Sequence, residues 1–496
     1  MTNLALSAFL ILLLAAGFRR PFLWVLAYLY VDILQPQVIS WGLLSRLPVS
    51  LICFVAAFLG WVLADDKRDS RGSFRQVLMA LLLMYCGATT LAAQFPAEAA
   101  EKWAWVWKAL VFAIFLPFTL RTRLRIEAVI LVMALTAGAI VIGGAIKTLA
   151  GGGGYGSLRL FVDNNTGLYE GSILSCVAIS LIPLIVWLAR HGTIFPPDWR
   201  VSTFAAALIF ACALIPVGTQ ARTGLVCLAV LCVLYLRTAR RRVLIVALMA
   251  AAALIALPFL PASYTQRMST IENAQSDQSA STRLAVWKWT LDYVRAHPFG
   301  GGFIVYKANE LKFETVTADT AGSTTVIRAQ EVQDSGRAFH SSYFEMLGEQ
   351  GWPGLGLWLA IQLSGLVQME ILRRRWGQRD RVTAGGVESE GVDSEGGKSE
   401  RHEGKHDNDG WQAPLAAALQ LSQVVYLVGS LFVGIAFQPF ILMLVGVQCG
   451  LWTYLKRSRP NAASRISQRR SPRAGSAAAS RSAGGPPTRS GAFTPH

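Results

Sequence analysis

The feature that most constrains this chain is a series of apolar runs long enough to cross a membrane, because a chain in lipid must satisfy its backbone polar groups within each spanning segment. A spanning helix needs about 20 predominantly apolar residues. Such stretches occur near 2–17, 21–36, 47–64, 77–94, 103–120, 126–148, 168–189, 203–219, 222–236, 242–260, 352–372, 413–432 and 435–455. The reading is thirteen candidate spans, or twelve if the first two, separated only by Arg19 and Arg20, form a hairpin. With 53% hydrophobic residues the chain is too apolar for a soluble protein with solvated helix faces. The expected fold class is an all-α polytopic membrane protein of about 12–13 transmembrane helices. The first run is read as a retained helix, since its basic residues follow the apolar stretch and a signal peptide carries them before it.

Lys and Arg in the short connections set the orientation. Lys67, Arg68, Arg71 and Arg75 fall in one loop, Arg121, Arg123 and Arg125 in a second, Arg190 and Arg200 in a third. Arg237 and Arg240 to Arg242 follow, then Arg373 to Arg375. These loops alternate, which makes them cytoplasmic and turns 95–102, 149–167, 220–221 and 261–351 outward. The formal charge of +16 does not indicate nucleic acid, because the last 41 residues alone hold nine Lys and Arg and no Asp or Glu. That tail lacks a hydrophobic period and is read as disordered and held near anionic lipid. The segment 382–410 reads as a flexible cytoplasmic linker, and its His402, His406, Asp407 and Asp409 as solvated side chains rather than a metal site. The seven cysteines lie inside apolar runs with no CxxC spacing, so neither a disulfide framework nor a zinc site is expected.

The chemistry falls to the outward face. Of six histidines only His297 and His340 lie there, so the choice of an outward general base is small. His297 opens the run His297-Pro298-Phe299-Gly300-Gly301-Gly302, which describes a helix stop and tight turn. His340 precedes Ser341-Ser342-Tyr343-Phe344 at the entrance to the last block of membrane helices, where it serves either as a base or as an interfacial packing residue. Arg222, in Gln220-Ala221-Arg222-Thr223-Gly224, sits on a connection too short to leave the outer membrane boundary, and a lone arginine there is a functional candidate. Arg283 begins a stretch whose Trp287, Leu291 and Val294 form an apolar stripe, read as a helix lying on the membrane surface. An imidazole with planar guanidinium groups suits transfer from a diphosphate leaving group, since arginine binds two phosphate oxygens at once. Such a scheme calls for no metal. Gly151 to Gly154 reads as a flexible loop, lacking the Lys and Ser/Thr of a P-loop.

The same residues carry a family resemblance. Gln220-Ala221-Arg222-Thr223-Gly224, Thr282-Arg283-Leu284, His297-Pro298-x-x-Gly301 and His340-x-x-Tyr343 through Gly351-x-Pro353-Gly354 appear in the order seen in O-antigen ligases and related polymerases. The resemblance covers roughly 203–372. Arg20-Pro21-Phe22, Gln35-Pro36-Gln37 and Asp163-Asn164-Asn165 are similar to the exosortase-associated subgroup of O-glycosylation ligases. The resemblance implies a membrane glycosyltransferase of GT-C type that moves a glycan from undecaprenyl diphosphate to an acceptor hydroxyl of a saccharide, lipid or protein, with inversion and without metal or other cofactor. His340, Arg222 and Arg283 then correspond to the family's catalytic residues, with Tyr343, Arg159, Arg337 and Gln220 as candidate substrate-binding residues. Two motifs depart from the family: its Ser-Arg-Gly turn reads Ala221-Arg222-Thr223, and its His-Asn pair reads His340-Ser341.

The expected organisation is an N-terminal transmembrane bundle (1–260), a large, helical periplasmic catalytic loop (261–351), C-terminal transmembrane helices (352–455) and a basic cytoplasmic tail (456–496). The polar insertion at about 308–336 has no assignment from sequence. A ligase and a polysaccharide polymerase share this architecture and remain open, as do, in another class, a transporter and an assembly scaffold. The expected location is the bacterial inner membrane with the active site on its periplasmic face.

Overall fold

The computed structural model describes residues 2–40, 43–65, 67, 72–151, 167–238, 242, 278–321, 324–389 and 410–457. The helices are α1 (Thr2–Arg19), α2 (Phe22–Leu34), the single turns α3 (Pro36–Ile39) and α4 (Leu43–Arg46), α5 (Val49–Ala64), α6 (Phe74–Leu91), α7 (Pro96–Thr119) and α8 (Arg123–Gly151). There follow α9 (Gly171–His191), α10 (Trp199–Gly218), α11 (Arg222–Thr238), α12 (Gln278–Ala296), α13 (Ser342–Ser389), α14 (Gln412–Gly429) and α15 (Pro439–Arg457). Of the apolar stretches read from sequence, all but 242–260, which lies outside the described residues beyond its first position, are occupied by these helices. Among the described residues six helices are long and apolar enough to cross a membrane, and α1, α2 and α5 are shorter apolar helices. The protein is an all-α polytopic membrane protein.

The pattern of exposure is that of a protein solvated by lipid. Leu4, Phe18, Leu63 and Leu91 are more than three-quarters exposed, while Gln423, Gln448 and Ser180 are fully buried. Those inward polar groups join helices to one another. Gln423 Nε2 donates to Gln362 Oε1 at 2.7 Å and Gln448 Nε2 donates to Gln423 Oε1 at 3.0 Å, linking α13, α14 and α15. Helix starts follow local chemistry: Pro36 and Pro96 occupy first-turn positions, where a missing N–H costs nothing, and the Glu170 carboxylate accepts from the N–H groups of Ser172 and Ile173 at the start of α9.

Several features differ from the sequence reading. Arg75, counted there with a cytoplasmic loop, lies in the first turn of α6 and is fully buried, its Nε donating to the Ile361 carbonyl at 3.1 Å. The sequence-read linker 382–410 is helical at its beginning, because α13 continues to Ser389; 390–409, with His402 and His406, lies outside the described residues. The polar insertion is an antiparallel hairpin, β1 (Glu310–Ala321) paired with β2 (Thr324–Ser335) from Glu310↔Ser335 to Ala321↔Thr324, so the expected helical loop also carries strands. Its alternating Thr, Val, Phe and Ile are the residue types that favour strands. The described residues up to Leu455 form one compact unit, and Lys456 and Arg457 are the only described residues of a second.

Candidate functional site

One end of the bundle gathers the connections that the sequence marks as outward. Tyr169, just before α9, donates to the Leu34 carbonyl at the end of α2 at 2.5 Å, and Ser175 in α9 pairs with Thr219 at the end of α10 at 2.8 Å. Gly429, the last residue of α14, packs against Cys176 of α9 and Cys227 of α11 so closely that a Cβ there would meet both sulfurs. The start of α13 joins the same end, where the Ser342 N–H donates to the Ser430 carbonyl at 2.8 Å. Four non-glycine residues among those described have positive φ, namely Gln35, Gln220, Ile304 and His340, and all four lie in connections at this end. Backbone held in this sparsely populated region clusters at functional sites in general.

His340 is fixed from both sides. Trp287 Nε1 donates to the Phe339 carbonyl at 3.0 Å, and the Trp287 ring stacks on Phe344 at 4.7 Å. After it, Ser342 Oγ donates to the Val433 carbonyl and accepts from the Ile435 N–H, both at 2.9 Å. The residue between these anchors takes φ +48° and presents an exposed side chain. Partial desolvation, then the positive fields of Arg283 and Arg337, hold its imidazole below the ordinary histidine range. A neutral imidazole is the form able to accept a proton. The buried Ser341 takes part in the helix start, its carbonyl accepting from the Glu345 N–H at 2.8 Å.

The other sequence-predicted residues divide into groups. Arg283, in the second turn of α12, and Arg337 are electrostatic neighbours of His340. Arg222 is the half-buried first residue of α11, which packs against α9 and α14, and Gln220 is buried in the turn before it. Tyr343 turns inward, its hydroxyl donating to the Leu427 carbonyl at 3.2 Å and its ring set edge-on to Trp358. Arg337 forms an ion pair with Asp334 through Nε, while Asn309 binds both its backbone N–H and carbonyl at 3.0 and 2.7 Å, closing the base of the hairpin. Arg159 lies outside the described residues. The apolar stripe of α12 packs on protein: Trp287 covers Phe344 and Val294 is buried, leaving Leu291 exposed.

His297 keeps its turn reading. It stacks on Tyr293 at 4.3 Å, is exposed, and its Nδ1 lies 3.2 Å from the Tyr293 carbonyl. The glycines after it zip against a break in α13: the Gly301 N–H donates to the Gly348 carbonyl, that of Gly302 to Glu349, and that of Trp352 to Pro298. The break is at Gly351, with φ +63° and ψ −168°, where a Cβ would stand 2.2 Å from the Pro298 carbonyl oxygen. The two glycine-rich motifs are thus halves of one clamp.

Sequence reasoning missed a buried ion cluster beside that clamp. Lys102 of α7 donates to Glu345 at 2.7 Å and to both carboxylate oxygens of Glu349 at 2.8 Å. Glu349 also accepts the Ile304 N–H at 3.0 Å, and Lys102 lies 5.2 Å from the centre of the Phe303 ring. Two glutamates four apart on a helix entering an apolar run share one face and call for a cation. That was the available signal, but the cation stands far away in sequence.

Residues 205–359 match the O-antigen ligase family, and residues 1–193 match a family of unknown function (DUF5935). No curated protein matches the chain. The first match spans the Gln220–Gly224 turn, α12, the clamp and His340, which are the motifs read from the sequence. The chain is therefore a multi-pass membrane protein that carries a domain of the O-antigen ligase family at residues 205–359.

Proposed function

We propose that the protein is a membrane glycosyltransferase that moves a glycan from undecaprenyl diphosphate to an acceptor hydroxyl, on the periplasmic face of a bacterial inner membrane. The single observation that carries this reading is His340: an exposed imidazole in a left-handed backbone position, disfavoured from protonation by partial desolvation and by Arg283 and Arg337, inside the O-antigen ligase domain. In the reaction His340 accepts the proton of the acceptor hydroxyl as its oxygen bonds to the anomeric carbon, and the bond from that carbon to the diphosphate oxygen breaks with inversion. Arg283 stabilises the charge that grows on the departing diphosphate, joined by Arg222 from the start of α11. Arg337 and Gln220 bind substrate beside them, and Tyr343 positions the His340 segment through its bond to α14. Guanidinium groups supply the charge stabilisation, so the reaction as written runs without metal.

The reading is tested by measuring undecaprenyl diphosphate released from a lipid-linked glycan by the purified protein in EDTA. Release is expected from the wild type, and His340→Ala is expected to lower it by about 10²–10⁴-fold, the usual worth of a general base. A well-inserted His340→Ala protein with wild-type release would overturn the assignment.

A further inference from the structure

At the opposite end of the bundle from His340, the end of α1, the start of α2, the end of α5 and the start of α8 enclose a cleft of about 530 Å³. Its walls include Phe22, Trp61 and Leu124, and its charged lining is Arg19, Arg20, Arg125 and Asp65. Arg125 is already balanced, donating to the two Asp65 oxygens at 2.7 and 3.1 Å and to the Thr119 carbonyl at 2.9 Å. Arg19 and Arg20 are exposed and make no ion pair among the described residues, so the described lining of the cleft carries a surplus of two positive charges. The Trp61 indole N–H is buried and finds no acceptor among the described residues. Around the mouth Phe18 and Leu63 are each 81% exposed and Leu124 is 56% exposed, a surface made for hydrocarbon. Arginine positions at this end also carry the positive bias of the cytoplasmic side.

A cationic mouth over an apolar wall, at the level of the lipid headgroups, complements a phosphate that carries acyl chains. We propose that this cleft binds an anionic phospholipid of the cytoplasmic leaflet, with Arg19 and Arg20 holding the phosphate and the chain lying against Phe22, Trp61 and Leu124. The site belongs to residues 1–193, apart from the O-antigen ligase domain, with Ile194 at its edge, and does not depend on the catalytic reading.

The test is native mass spectrometry of the full-length protein in detergent, titrated with phosphatidylglycerol or phosphatidylcholine. Phosphatidylglycerol adducts are expected to exceed phosphatidylcholine adducts at least tenfold. Ala64→Glu places an acid on the exposed rim of the cleft while leaving every Lys and Arg that sets topology, and is expected to abolish that preference with an unchanged lipid-free melting temperature. Should that variant fail to fold, Arg19→Gln with Arg20→Gln is read in its place, with a loss of about thirtyfold expected from roughly 1 kcal/mol per arginine. Arg46→Gln, an exposed arginine at the other end, serves as the control that changes nothing. Equal retention of both lipids, or a preference that survives in the folded cleft variant, would overturn the proposal. So would full displacement by millimolar inorganic phosphate, which would assign the site to soluble anions.

Discussion

At the residue scale, the proposed mechanism turns on the protonation of one imidazole. Turnover that needs neutral His340 falls as pH drops through its lowered pKa, and removing a nearby cation raises that pKa. Arg337→Gln is therefore expected to move the acidic limb of the kcat profile to higher pH. Arg283→Ala is expected to move the limb the same way and also to lower the plateau, since it loses contact with the diphosphate. Arg222→Ala should lower the plateau, since on the proposed mechanism it stabilises the same leaving group. A pH–rate series on the three variants checks all of this, and a limb that stays in place in both Arg337→Gln and Arg283→Ala would show that neither arginine acts on His340. His340, Arg222 and Arg283 were legible as candidates from residue type and topology. That Arg283 and Arg337 both stand near His340 is tertiary placement, which no spacing in the chain encodes.

At the element scale, two devices hold the start of α13 in place. The glycine clamp requires Gly351 in a backbone region closed to residues with a Cβ, in contact with Pro298. Gly351→Ala is expected to destabilise the protein by at least about 1–3 kcal/mol and to lower turnover with it, read as a fall in melting temperature and activity together. The ion cluster is the second device. Lys102→Met leaves two glutamates without their cation, one of them fully buried, and is expected to cost about 3–5 kcal/mol. Adding Glu345→Gln and Glu349→Gln should recover part of that loss. A melting temperature unchanged in the single variant would show that the cluster carries no stability. The clamp was half legible, as two turn-forming motifs; that they meet is decided by the path of the hairpin and the first turns of α13 between them.

At the scale of the whole molecule, the hairpin is an appendage on a helical body. Asn309 and Arg337 close its base, and Leu311 is buried just inside it. Replacing 312–333 by an Asn-Gly turn is therefore expected to leave membrane insertion and melting temperature unchanged. A fall of many degrees would mean that the strands support the bundle. The buried Arg75 shows the opposite case, a charge counted with a loop that is instead held between α6 and α13, where a Cβ on Gly365 would touch its guanidinium.

Sequence alone determined the polytopic helical fold, because lipid leaves a chain no other way to satisfy its backbone over runs of that length and apolarity. It also narrowed the candidates for acid–base and phosphate chemistry to a few residues, because the topology read from the chain removes most histidines from consideration. Tertiary structure decided which of them act on one another. Arg283 and Arg337 reach His340 through α12 and the base of the hairpin, and Lys102 reaches Glu345 and Glu349 across the bundle. Electrostatic fields fall off with distance in space and take no account of separation along the chain.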